Sequence, residues 1–180
     1  MKKIAFLSLV VIALVISSCG SKEKDQSEEN ASGNGTEKIA ELVVEFKTTS
    51  NDKFKVYYSK DANSEIGGEL FIDKYIYGSA EMQKIVFKFP EGEYPYKIRL
   101  DVGVNQKVEN LTIKNITFKY GNKSIEGDEG EFMKYWSPNE CIKYDDVNFV
   151  YNLVPSANGI KSPVFMANID FQKKLRSLNK

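Results

Sequence analysis

The chain of 180 residues has no histidine, only two cysteines, Cys19 and Cys141, and one tryptophan, Trp136. Without an imidazole there is no Ser-His-Asp or Cys-His nucleophile and no histidine-ligated metal. The usual proton carrier near neutral pH is missing too. Cysteine is too scarce for a disulfide framework, so the folded part must stand on its own core. A buried apolar thiol is the expected state of Cys141. Neither charge sign dominates, with 25 basic and 25 acidic residues. Removing residues 1–18 takes away Lys2 and Lys3 and leaves 23 basic residues against 25 acidic, a net charge of −2. Such a balance gives no general attraction to nucleic acid, and no nucleic-acid partner is expected. Long apolar runs are missing as well. The longest, "IAFLSLVVIALVI" from Ile4 to Ile16, has 13 residues and is broken only by Ser8. A spanning helix needs about 20.

What is present at the front is a positive start, Met1-Lys2-Lys3, that short apolar middle, and small residues at its end. Together they describe a secretory signal peptide over residues 1–18. The close, Ile16-Ser17-Ser18-Cys19, resembles the lipobox of bacterial lipoproteins. That resemblance implies a diacylglyceryl thioether on Cys19, cleavage before it, and acylation of the new amino terminus. Membrane lipid is then a partner through Cys19. Each buried CH₂ adds about 0.8 kcal/mol and a single chain holds only marginally, so several chains on one residue make a stable anchor. An ordinary signal peptide with an incidental cysteine is the competing reading. Residues 19–37 combine the lipidated cysteine with a stretch lacking large apolar side chains, which cannot repay the entropy of folding. A flexible tether reaching about 20–25 Å is expected there. Gly20, where Asp would favour inner-membrane retention, resembles the outer-membrane pattern of Gram-negative lipoproteins. The implied address is the cell envelope, at the outer membrane, facing periplasm or exterior.

From residue 38 to 180 the pattern changes to period two. Leu42, Val44 and Phe46 alternate with Glu41, Glu45 and Lys47. Phe54, Val56 and Tyr58 alternate with Lys53, Lys55 and Tyr57. Ile85, Phe87 and Phe89 precede Pro90, and Ile98, Leu100 and Val102 follow the same rule. Such alternation predicts strands with one buried and one wet face. The inward set is odd-numbered at Leu111 and Ile113 but even-numbered at Ile116, Phe118 and Tyr120, which predicts a β-bulge or a corner between two sheets across Lys114-Asn115. Gly121-Asn122 predicts a tight hairpin turn. Strands are expected at 148–154 and 164–171, a helical turn at 131–135, and a helix at the end of the chain. Closely spaced strands with Gly, Asn and Pro between them predict an all-β fold, an antiparallel, jelly-roll-like β-sandwich. The stretches "VYYSKD", "MQKIVFKFP", "YKIRLDVG", "VENLTIKNITFKYGNKSI" and "SPNECIKYDD" resemble β-sandwich modules of the galactose-binding or jelly-roll type. That resemblance covers residues 40–170 and implies a sugar-related setting without fixing a reaction or a binding residue.

Aromatic rings are the main candidates for a ligand face: Trp136, Tyr135, Tyr57 and Tyr75. Flat rings stack on the apolar faces of sugars, although packing and cross-strand pairing draw aromatics into strands anyway. Trp136 is the favoured exposed ring, because Pro138 and Asn139 place a loop beside it. Glycoside hydrolysis would need two carboxylates about 5 to 9 Å apart. Glu126, Asp128, Glu129 and Glu131 cluster in sequence, as do Asp145 and Asp146. Asp101, Gly103 and Asn105 offer oxygens to calcium but lack EF-hand spacing, and turn chemistry explains them equally. The expectation is a tethered, non-catalytic binding or accessory module with a glycan or an envelope protein as partner, without cofactor or metal. The alternatives are a glycoside-active enzyme using the acidic loops and a purely structural lipoprotein.

Overall fold

A computed structural model of the chain describes residues 38–180, without the side chains of residues 128–130. The signal peptide expected over residues 1–18, the lipidation expected at Cys19 and the tether expected up to residue 37 all fall outside the described residues. The elements are β1 (Ala40–Lys47), β2 (Asp52–Ser59), β3 (Phe71–Ile76), β4 (Gln83–Lys88), β5 (Lys97–Asp101), β6 (Asn110–Tyr120) and β7 (Lys123–Ile125). They are followed by a 3₁₀ turn (Asp128–Lys134), β8 (Trp136–Pro138), β9 (Ile142–Asp145), β10 (Val150–Leu153), β11 (Val164–Ala167) and helix α1 (Ile169–Leu178). The fold is an all-β antiparallel sandwich. One sheet has the order β4-β1-β6-β10-β9, with β7 paired to β6, and the other the order β3-β2-β5-β11-β8. After the β2–β3 hairpin the chain crosses between the sheets at each step from β3 to β6, and it also crosses from β1 to β2, which makes the sandwich jelly-roll-like.

The alternation read from sequence lines the space between the sheets. Leu42, Val44, Phe46, Phe87, Ile116 and Phe118 of the first sheet are at most 1% exposed, as are Phe54, Val56, Ile98, Leu100 and Phe165 of the second. Rings meet across the layers, Phe46 with Phe54 at 4.9 Å and Tyr151 with Phe165 at 5.4 Å between centroids. Fully burying one such side chain contributes about 1.5–3 kcal/mol. The expected phase change is a bulge: Glu45 pairs with Asn115, but Phe46 pairs with Ile113, so Lys114 is the extra residue. It carries both Ile113 and Ile116 to the inner face of one strand. The hairpin from β6 to β7 turns through Gly121-Asn122, with Gly121 at φ +59°, where a Cβ would be strained.

The strand expected over 164–171 stops at Ala167. Asn168 ends it by capping α1, its side chain accepting from the backbone N–H groups of Asp170 and Phe171, both at 3.1 Å. The helix then buries Phe171 and Leu175 against the sandwich. Cys141 is buried, as expected, and its Sγ lies 3.9 Å from the carbonyl of Ile160. No helix among the described residues is long and apolar enough to cross a membrane.

The hairpin joining β9 and β10 has an unusual tip. The Asp145 carboxylate accepts from the backbone N–H groups of Val147 and Asn148, both at 3.0 Å, and from the Asn148 side-chain amide at 2.8 Å. Those bonds, the Asn148 amide first, hold its pKa below the ordinary carboxylate value. They also force Phe149 to φ +55°, although its side chain is 69% exposed and gains little from burial. A left-handed conformation costs a non-glycine residue about 1–2 kcal/mol, while glycine loses about 0.5–1 kcal/mol through its freer unfolded chain. Phe149→Gly should therefore stabilise the domain by about 0.5–1 kcal/mol and raise the melting temperature by about 2–3 °C. A lower melting temperature in calorimetry would contradict the strain.

Candidate functional site

The inward alternation of β2 turns Lys53, Lys55 and Tyr57 to the outer face of the second sheet, and register assembles that face into rows. Tyr57 stands opposite Phe71 on β3 and Arg99 on β5, and Arg99 stands opposite Met166 on β11. One step along, Lys55 lies between Asp73 and Asp101. A further step brings Lys53 opposite Tyr75. Four residues of strand separate the Tyr57–Phe71 pair from the Lys53–Tyr75 pair, about 13 Å.

The rings are held by cations. The Tyr57 and Phe71 centroids are 5.6 Å apart, and the Arg99 guanidinium carbon lies 4.2 Å from the Tyr57 centroid. The Lys55 ammonium lies 5.3 Å from the Phe71 centroid, and that of Lys53 lies 4.3 Å from the Tyr75 centroid. Cation–π contacts at exposed sites contribute about 0.5–1 kcal/mol each. Asp101 fixes Arg99 further, its two oxygens accepting from Nε at 2.7 Å and from Nη2 at 3.0 Å. Lys53 also donates to Asp73 at 2.9 Å, and this bond raises the lysine pKa and lowers that of Asp73. Tyr75 is 72% exposed and Phe71 46%, so the face stays open to solvent.

Each end of this face has a depression. One of about 360 Å³ lies between the β2–β3 connection and α1, lined by Glu65, Ile66, Lys97, Arg99, Met166 and Gln172. The other, about 400 Å³, is lined by Asn51, Asp52, Lys53, Tyr75, Val104 and Asn105. Its rim is fixed by Asp52 Oδ1, which accepts from the backbone N–H groups of Val104 at 2.8 Å and Asn105 at 3.0 Å.

Tyr57 and Tyr75, expected as ligand contacts, both lie on this face. Trp136 and Tyr135 do not join them. Trp136 is 0% exposed, its ring 5.1 Å from that of Phe171, and Tyr135 is buried beside the same phenylalanine. The expectation of an exposed tryptophan is therefore corrected. Pro138 does lie close in sequence, but β8 pairs with β11 and α1 covers the indole. Sequence reading missed Phe71 and Arg99. Lys74 is exposed where alternation wants a buried residue, which hid β3 and its outward set Phe71, Asp73 and Tyr75.

The acidic candidates are described in part. Glu126 accepts from the Thr117 hydroxyl at 3.2 Å, and the side chains of Asp128 and Glu129 lie outside the described residues. The four described carboxyls with a resolved shift, Asp61, Asp73, Glu93 and Asp145, are all lowered. Asp101 is occupied by Arg99, and Asn105 hydrogen-bonds through both side-chain atoms, to the Lys107 N–H and the Asn51 carbonyl. Among the described residues no His, Cys, Asp and Glu side chains gather in a group able to hold a metal ion. Buried hydroxyls are structural: Tyr58 donates to Glu93 at 2.6 Å and Tyr94 to the Leu175 carbonyl at 2.6 Å. Desolvation, above all, raises the pKa of both phenols, and it pushes Tyr151 up to about 12. Comparison of the chain with family models, curated proteins and solved structures returned no match.

Proposed function

We propose that the domain is a non-catalytic binding module, tethered to the cell envelope by lipid on Cys19, which takes carbohydrate on the outer face of the second sheet. The observation that carries this reading is the Tyr57–Phe71 pair on the outer face, 5.6 Å between centroids with Tyr57 half-buried and Phe71 exposed, and the exposed Tyr75 further along the same face. Open rings already oriented by cations lose little freedom on meeting a flat ligand, which favours binding. The likeness of the strand pattern to galactose-binding and jelly-roll modules supports a sugar as the partner. An acid catalyst needs a carboxyl whose pKa is raised, and the carboxyl shifts resolved among the described residues run the other way.

The test is a glycan array probed with the detergent-solubilised full-length protein and with a Tyr57→Ala, Phe71→Ala, Tyr75→Ala triple variant. Retention of a glycan set by the wild type should fall at least ten-fold in the variant, with unchanged circular dichroism. Retention that the variant keeps would move the site elsewhere, and turnover of a retained glycan would favour the enzyme. The anchor is checked separately, by incorporation of a radiolabelled fatty acid that Cys19→Ser abolishes.

A further inference from the structure

We propose that the ligand taken on this face carries an anionic group, a carboxylate or sulfate ester on a sugar, seated in the depression beside Arg99 and Lys97. This inference rests on the binding reading above and adds the class of sugar. Its basis is the state of Arg99. Asp101 occupies Nε and Nη2, and the Tyr57 ring lies against the guanidinium plane. The Nη1 edge has no protein partner among the described residues. The side chain, 30% exposed, lines the depression of about 360 Å³. A planar fork held on one edge and one face, with its other edge open, is suited to oxygen anions.

Lys97 adds a second cation to the same depression, and its side chain is only 16% exposed. Among the described residues its ion-pair partner is Glu65, 3.4 Å away on a side chain that is 95% exposed, and Asp61 attracts it at longer range. An ion pair with so exposed a member is heavily solvated and readily exchanged for a bound anion. Asp101 offsets the charge of Arg99 through both its oxygens, so Arg99 contributes the open N–H donors of its other edge and Lys97 contributes the cationic charge. Met166, 40% exposed on the same wall, and Phe71 across the row supply apolar surface for a sugar ring. A charged slot beside open rings fits an acidic saccharide better than a neutral one.

The probe is an oligogalacturonate, compared with its fully methyl-esterified form and with matched sulfated and unsulfated dextran oligomers. Binding to the full-length protein is read by calorimetry in low salt. An anionic member should bind at least ten-fold more tightly than its neutral counterpart, and Lys97→Gln and Arg99→Gln should each remove most of that preference. Preference for the acid over the ester marks a carboxylate, and preference within the dextran pair marks a sulfate. Lys97→Gln leaves Asp101 paired, so it reads the site even where Arg99→Gln disturbs the sheet. Equal affinity for charged and neutral members overturns the inference and leaves the binding reading standing. No affinity for any saccharide, on the array or here, sinks both. A preference for phosphatidylglycerol over phosphatidylcholine vesicles that Lys97→Gln abolishes, without saccharide binding, would overturn it in favour of an anionic lipid surface, the Cys19 anchor being common to both vesicles.

Discussion

Trp136→Ala should cost the domain about 3–5 kcal/mol, the usual range for truncating a fully buried tryptophan. The indole is 0% exposed, packs at 5.1 Å against Phe171, and sits on β8 opposite Ala167. A domain of this size is stable by about 5–15 kcal/mol, so the melting temperature should fall by about 10–20 °C. The indole N–H has no hydrogen-bond partner among the described residues. Removing it therefore orphans no acceptor, and Trp136→Phe should lose only about 1–2 kcal/mol, mostly through the smaller ring. Tyr75→Ala should shift stability by less than about 0.5 kcal/mol, because its ring is 72% exposed. Thermal unfolding of the three variants orders them. A Trp136→Ala melting point equal to that of Tyr75→Ala would show that the indole is not part of the core.

The contrast between Trp136 and Tyr75 also shows what a sequence reading reaches. Alternation identified β1, β2, β4 and β5 because each carries an unbroken inward set, and a break in phase located the bulge at Lys114. Period two says which face a residue occupies only where a strand is long enough to show it. β8 has three residues and ends at Pro138, so nothing local told whether Trp136 faced core or solvent; packing of α1 decided it. The candidate face was half legible. Tyr57 lay on the outward set of a strand read correctly, but its partners Phe71 and Arg99 come from β3 and β5 through register, which pairs residues distant in sequence. The cation over each ring follows from that pairing and from no single segment.

Asp52→Ala should be the most damaging change to the rim of the face, at about 2–4 kcal/mol. That range is what an orphaned set of backbone donors at a buried carboxylate predicts. Asp52 is 8% exposed, and its Oδ1 accepts from the N–H groups of Lys53 at 2.7 Å, Val104 at 2.8 Å and Asn105 at 3.0 Å. Oδ2 lies against Gly103, where an added Cβ would stand 2.5 Å from it and where φ is +143°, so the carboxylate and the glycine require each other. Alanine at 52 leaves Val104 and Asn105 without their acceptor and frees the segment that lines the depression beside Tyr75. Asp52→Asn keeps a carbonyl oxygen at the Oδ1 position and loses only the charge assistance, a cost of about 1 kcal/mol. Hydrogen exchange separates these outcomes. Protection of the Val104 and Asn105 amides should collapse in the alanine variant and persist in the asparagine variant, while amides of β1 and β6 follow global stability alone. If both amides stay protected in Asp52→Ala, another group holds the loop, and the carboxylate is not its anchor.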